Sequence, residues 1–105
     1  MSTTEKIKLD LNNMMDRYTS TPNTQEIWKM VKSEATDLLM KYYRAGSLMG
    51  TKPEQAFFVK IGMETMTTAD IENGKMILQV GIATQKPAEF EILAFERMVV
   101  GNQVK

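Results

Sequence analysis

The side chains in this sequence with the most chemical potential are its carboxylates, methionines and lysines. Glu64, Asp70 and Glu72 lie close enough together to raise the question of a divalent cation. They lack the ordered ligand pattern of an oxygen-donor loop, and capping and surface roles account for them better. Glu89 and Glu91 are too isolated in sequence to nominate as a general acid–base pair. Ten methionines, among them Met14, Met15, Met63 and Met66, raise soft-metal binding, but filling core gaps and making adaptable contacts is the ordinary use of methionine. The chain has no histidine and no cysteine. That excludes a histidine-based triad, an imidazole metal site, a thiolate nucleophile, a disulfide and the usual structural zinc. Carboxylate, Lys, Ser, Thr and Tyr chemistry is left, and no constellation of these stands out. No catalytic residue, cofactor site or metal ligand is assigned, and the chain is read as non-enzymatic.

Charge narrows the partners. Thirteen basic and thirteen acidic residues cancel, which removes the usual electrostatic argument for nucleic acid or an anionic membrane. No stretch approaches the eighteen or so apolar residues needed to span a bilayer, and no apolar run follows the charged N-terminus as a secretory signal requires. The one cationic surface of interest is formed by Lys29, Lys32 and Arg44. A solvated helix face is the ordinary explanation for such charges. Met30, Met40 and Tyr43, which lie off the apolar arc of the same segment, lean toward a contact surface instead.

The elements carrying these residues follow from periodicity. At 105 residues one domain is expected. Ser2 and Glu5 form a capping-box pattern, followed by Ile7, Leu11, Met14, Met15 and Tyr18 on one helical face; this predicts a helix over 3–18, within an N-terminal segment 1–20. Asn23 is the expected cap of a second, long amphipathic helix within 23–46. Its apolar arc runs from Ile27 to Tyr42 and includes Leu38, and Gly46 stops it. After Pro53 the period changes. Ala56–Ile61, Met76–Ala83 and Phe90–Phe95 read as strands, with a short helix capped by Thr67 and ended by Gly74 between the first two. The sheet region is 55–97 and the segment 98–105 reads as a loose tail. The expected architecture is α+β: two N-terminal helices packed on a small, mostly antiparallel sheet with an open edge. Such an edge invites strand addition from another chain.

The ordered blocks of this region are familiar. Pro22-Asn23, Trp28, Gly46, Gly50 and Pro53-Glu54 precede Ala56-Phe57-Phe58-Val59. Then come Thr65-Met66-Thr67, Asp70-Ile71, Gly74, Val80-Gly81-Ile82-Ala83 and Pro87-Ala88-Glu89-Phe90. Over roughly residues 17–95 this resembles the C-terminal domain of contractile phage tail sheath proteins. Thr21 replaces an acidic residue common before the Pro-Asn, and Thr84 replaces a proline common after Ala83. Sheath proteins carry further domains before this one, and the Met start here favours a stand-alone sheath-like protein over an excised domain.

The resemblance implies a mechanical role. The family's domain forms the inner, tube-facing layer of the sheath and receives strands from neighbouring subunits. On that basis Lys29, Lys32 and Arg44 are candidates for contact with the tail tube protein. Phe90, Ile92, Leu93, Met98, Val99 and Val100 are candidates for pairing with a neighbour's strand. The expected partners are other sheath or sheath-like subunits and the tube, with no nucleic acid and no membrane insertion. A small adaptor or cap at a sheath end or baseplate is the alternative. With one short donor, Glu96–Lys105, the chain alone is expected to be a monomer or small oligomer. The resemblance implies bacterial cytoplasm during assembly, then a virion tail or contractile injection particle.

Overall fold

The computed structural model describes residues 2–99. Helix α1 spans Thr3–Asp16 and α2 spans Gln25–Arg44; α3, Pro53–Ala56, is a single turn opened by proline. Strand β1 is Phe57–Ile61, α4 is Thr68–Glu72, β2 is Lys75–Ile82 and β3 is Glu91–Met98. The three strands form one antiparallel sheet in the order β1-β2-β3. Val80 at its centre faces Val59 on one side and Leu93 on the other. The α+β architecture read from the sequence is the one observed.

Alternation along the strands divides the sheet into two faces. Val59, Ile61, Met76, Leu78, Val80, Ile82, Leu93 and Phe95 point into the core. Above them α2 lies against β1 and α1 against β3, contributing Ile7, Leu11, Met14 and Met15 from α1 and Val31, Ala35 and Leu39 from α2. Hydrogen bonds tie the helices together at two levels. Tyr18 Oη donates to Glu34 Oε1 at 2.6 Å, with Arg17 paired to the same carboxylate, and Tyr42 Oη donates to Asp10 Oδ2 at 2.6 Å.

The capping box at Ser2 and Glu5 is present, with Glu5 N–H donating to Ser2 Oγ at 3.1 Å and Ser2 N–H to Glu5 Oε1 at 3.0 Å. Thr67 and Asp70 form a second one at the start of α4. The Thr67 backbone N–H bonded to Asp70 is the main reason its carboxyl lies below the ordinary value.

Several boundaries differ from expectation. Thr24, not Asn23, occupies the N-cap position of α2, and it makes no side-chain cap bond. Asn23 is buried and bridges two elements: its Nδ2 donates to Lys75 O at 3.0 Å, and its Oδ1 accepts from Trp28 Nε1 at 2.6 Å. Helix α1 stops at Asp16 rather than at residue 18. The buried stripe of α2 centres on Trp28, Val31, Ala35 and Leu39. Leu38, expected between helix and sheet, is only half-buried on its flank, because successive residues turn by about 100° and Leu39 takes the inward position. Met40 and Tyr43, expected outside the apolar arc, pack partly against the core.

The largest correction concerns the tail. β3 continues past Phe95 through Glu96 and Arg97 to Met98, which faces Lys75 in the chain's own sheet. Arg97 also reaches α1, where Nε donates to Asp16 Oδ1 at 2.9 Å and Nη2 to Asn12 Oδ1 at 2.8 Å. The Val99 N–H donates to Gly74 O at 2.7 Å, and its side chain is fully buried. Residues 96–99 are therefore built into the fold rather than forming the start of a free donor arm.

Candidate functional site

The cationic side of α2 borders a cleft of about 540 Å³, with Gln25, Trp28, Lys29 and Lys32 on one wall and the turn Ile61–Glu64 on the other. Two features keep its floor open. Gly62 has φ +141°, a conformation that favours glycine, and carries no side chain into the space beside Trp28. The Trp28 indole is held back by its bond to Asn23. Met63 stands on the rim, 65% exposed. Lys29 and Lys32 are exposed, and neither forms an ion pair among the described residues. Arg44 is not part of this cluster. It lies at the last residue of α2, twelve positions beyond Lys32, or about 18 Å along the axis at 1.5 Å per residue. The structure brings two of the three cationic candidates together and leaves the third at the other end of the helix.

The second surface is the sheet face turned away from the helices. The Phe58 ring lies over Gly81, where an added Cβ would fall 2.1 Å from the nearest ring carbon. Phe90 meets the same ring edge-on, with centroids 5.1 Å apart, and Lys60 Nζ sits 5.2 Å from the Phe58 centroid. Ile92 and Met98 continue this face on β3 and are 52% and 55% exposed. Of the strand-pairing candidates, then, Phe90 packs on Phe58 just ahead of β3, while Ile92 and Met98 face outward. Leu93 and Val99 point into the core, so neither side chain is available to a neighbour. Val100 lies outside the described residues. Among the described residues β1 and β3 have no further strand partner, so each leaves one edge open.

No group of three or more carboxylates that could hold a metal occurs among the described residues. Glu91 Oε1 accepts from Thr4 Oγ1 at 2.8 Å, a contact that ties β3 to α1. The two shifted phenols are structural as well. Burial, then the hydrogen bond to Glu34 and its charge, push Tyr18 up to about 12, with Arg17 opposing. Burial and the Asp10 carboxylate do the same to Tyr42, also to about 12.

The buried Asn23 bridge and the cleft beside Gly62 were not anticipated from sequence. Asn23 before a helix carries the same signal for a cap as for a tertiary bridge, and an isolated glycine after a strand does not reveal the helix that will pack beside it.

No protein-family model matches the chain, and no curated protein matches it. Solved structures do. A chain of the anti-feeding prophage (AFP) baseplate, sixfold symmetrised, is 39% identical, with a TM-score of 0.75, over 88% of this chain and 26% of that one. A chain of the PVC sheath complex, an extracellular contractile injection system in its contracted state, is 39% identical, with a TM-score of 0.72, over 85% of this chain and 25% of that one. A chain of the AFP baseplate in its contracted state is 37% identical, with a TM-score of 0.74, over 86% of this chain and 24% of that one. The chain thus spans about a quarter of the length of the chains it matches. Identity at this level across nearly all of the described fold makes the chain a homologue of the sheath proteins of contractile injection systems, matching a sheath-like C-terminal domain.

Proposed function

We propose that the chain is a non-enzymatic structural subunit that takes the tube-facing position in a contractile sheath and joins its neighbours by strand addition. The observation that carries this reading is the 39% identity to a chain of the PVC sheath complex over 85% of the sequence. The open edges of β1 and β3 supply what strand addition requires, unpaired backbone donors and acceptors along an extended segment. Lys29, Lys32 and Arg44 are the proposed tube contacts, and Ile92 and Met98 are the outward side chains beside the β3 edge. The proposed setting is the bacterial cytoplasm during assembly and the contractile particle afterwards.

By itself the chain is proposed to be a monomer or small oligomer. A woven lattice needs each subunit both to donate and to receive, and the nearest donor residues, Met98 and Val99, are tied into its own sheet and core. A second reading, an adaptor or cap at a sheath end or baseplate, is favoured by the two matches to AFP baseplate chains. Electron microscopy of particles containing the protein tests both. A helical array along the tube supports the sheath reading, a single ring supports the adaptor, and absence from both positions overturns the two together. Reversing Lys29, Lys32 and Arg44 to Glu should abolish co-sedimentation with tubes while leaving the fold intact. Added salt should weaken the wild-type contact, since exposed charges are screened over about 8–10 Å.

A further inference from the structure

We propose that the cleft between the first half of α2 and the turn Ile61–Glu64 is a docking pocket for a partner segment that carries an aromatic side chain next to a carboxylate. This deepens the reading of the cationic side of α2 as a partner contact and rests on it, but it names a recognition chemistry which that reading lacks: an apolar anchor with a charge beside it.

The apolar half of the argument comes from the walls. Trp28, Ile61 and Met63 line the cleft. Trp28 is prepared for contact in advance, because its indole N–H is already satisfied by Asn23 Oδ1 and that amide is itself fixed to Lys75 O. A partner meeting this surface would have little side-chain freedom to remove from it. Gly62 leaves room that any larger residue would fill. Met63, 65% exposed on the rim, offers a flexible thioether, which packs favourably against an aromatic edge. Trp28 and Ile61 are buried and offer only a narrow apolar strip at the floor. The main apolar contact for an entering side chain is therefore the exposed Met63 thioether, which favours an aromatic ring over an aliphatic one.

The charged half comes from α2. Lys29 and Lys32 are three residues apart and are therefore neighbours on the helix surface. Gln25 and Ser33 flank Lys29 at four residues, and Trp28 and Thr36 flank Lys32, so neither lysine has a carboxylate at that spacing. Glu26, three residues before Lys29, makes no ion pair with it among the described residues. Glu64 stands on the opposite wall and bars a second carboxylate there. Two adjacent unpaired ammonium groups on one wall and one carboxylate on the other fix the polarity of the occupant, with its acid toward α2.

The test uses the full chain, isotopically labelled for nuclear magnetic resonance, and three capped tetrapeptides: Gly-Phe-Glu-Gly, Gly-Phe-Lys-Gly and Gly-Ser-Glu-Gly. The expected result is saturable shifts of the Trp28 indole, Gly62 and Met63 signals with Gly-Phe-Glu-Gly, at an affinity at least about fivefold above that for either control. Lys29→Glu with Lys32→Glu should lower that affinity at least fivefold, and so, separately, should Met63→Asp. These three side chains are exposed, so the variants retain the fold, as an unchanged spectrum away from the cleft would verify. No shifts at the cleft, or equal binding of the three peptides, overturns the proposal. Loss of tube co-sedimentation on lysine reversal without any peptide binding also overturns it, while leaving the wider contact reading standing. Selective peptide binding with no tube association upholds the pocket and directs it to a different partner.

Discussion

The aromatic ring of Phe58 rests on the backbone of Gly81, its cross-strand partner, on the sheet face that the helices leave uncovered. A Cβ at position 81 would fall 2.1 Å from the ring, so the glycine is required by close approach rather than by its φ angle. Gly81→Ala should therefore push the Phe58 ring off its seat and break its edge-on contact with Phe90, destabilising the fold by about 0.5–1.5 kcal/mol. The same change made in a Phe58→Ala background should cost far less. Urea denaturation of the two single variants and the double variant measures this coupling, and equal costs in both backgrounds would assign Gly81 another role.

The orientation of α2 yields a second expectation. Leu39 is completely buried against the sheet, so Leu39→Ala should cost about 2–5 kcal/mol. Lys32→Ala, on the exposed side, should stay within about 0.5 kcal/mol. Leu38→Ala should fall between them, because its side chain is only half-buried. Denaturant midpoints for the three variants report the rotation of the helix, and a larger loss at Leu38 than at Leu39 would contradict it.

Alkaline pH should weaken the contact between the two helices. Tyr18 and Tyr42 ionise at about 12 in the folded protein against 10.0 for an unperturbed phenol. A phenol whose pKa is raised by folding favours the folded state while it is protonated. That contribution is complete below pH 10 and is lost progressively between pH 10 and about 12. Thermal unfolding across this range should show a falling midpoint, and Tyr18→Phe with Tyr42→Phe should flatten the fall. Direct absorbance titration should place both phenolates above the range of an exposed tyrosine.

Removing the Asn23 side chain should be costly for its size. Asn23→Ala leaves the Trp28 indole N–H without its acceptor and Lys75 O without that donor. Buried groups stranded in this way cost about 1–3 kcal/mol. Calorimetry or urea melts would reveal it. A change of a few tenths of a kcal/mol would mean that water reaches both groups.

What the sequence disclosed, and what it hid, divides along the range of the interactions. The Ser2–Glu5 and Thr67–Asp70 boxes are local, three-residue relationships, and both were readable before any fold was known. The long helix and the three strands were legible from periodicity, as was the open sheet edge that follows from so few strands. The phase of α2 was blurred because Leu38 and Leu39 are adjacent and equally apolar; only α1 and the sheet decide which one turns inward. The end of β3 was missed because Glu96 and Arg97 interrupt the apolar alternation. Arg97 finds its partners, Asp16 and Asn12, more than eighty residues away. The cationic candidates were readable by type, but their separation into a pair beside a cleft and a distant arginine depends on tertiary packing.

The bridge from Trp28 through Asn23 to Lys75 has a spectroscopic consequence. Trp28 is the chain's single tryptophan and is 8% exposed, so all indole emission comes from the seam where the beginning of α2 meets the end of β1, next to the Asn23 link to Lys75. While the seam is closed, the indole is largely shielded from water, bordering the cleft at one edge and bonded through its N–H to Asn23 Oδ1, and it emits at shorter wavelength than a fully hydrated indole. If α2 lifts from the sheet, water reaches the ring and the emission moves to the red. The protein thus carries its own optical strain gauge, readable without a label whenever its helical layer is pulled away from its strands.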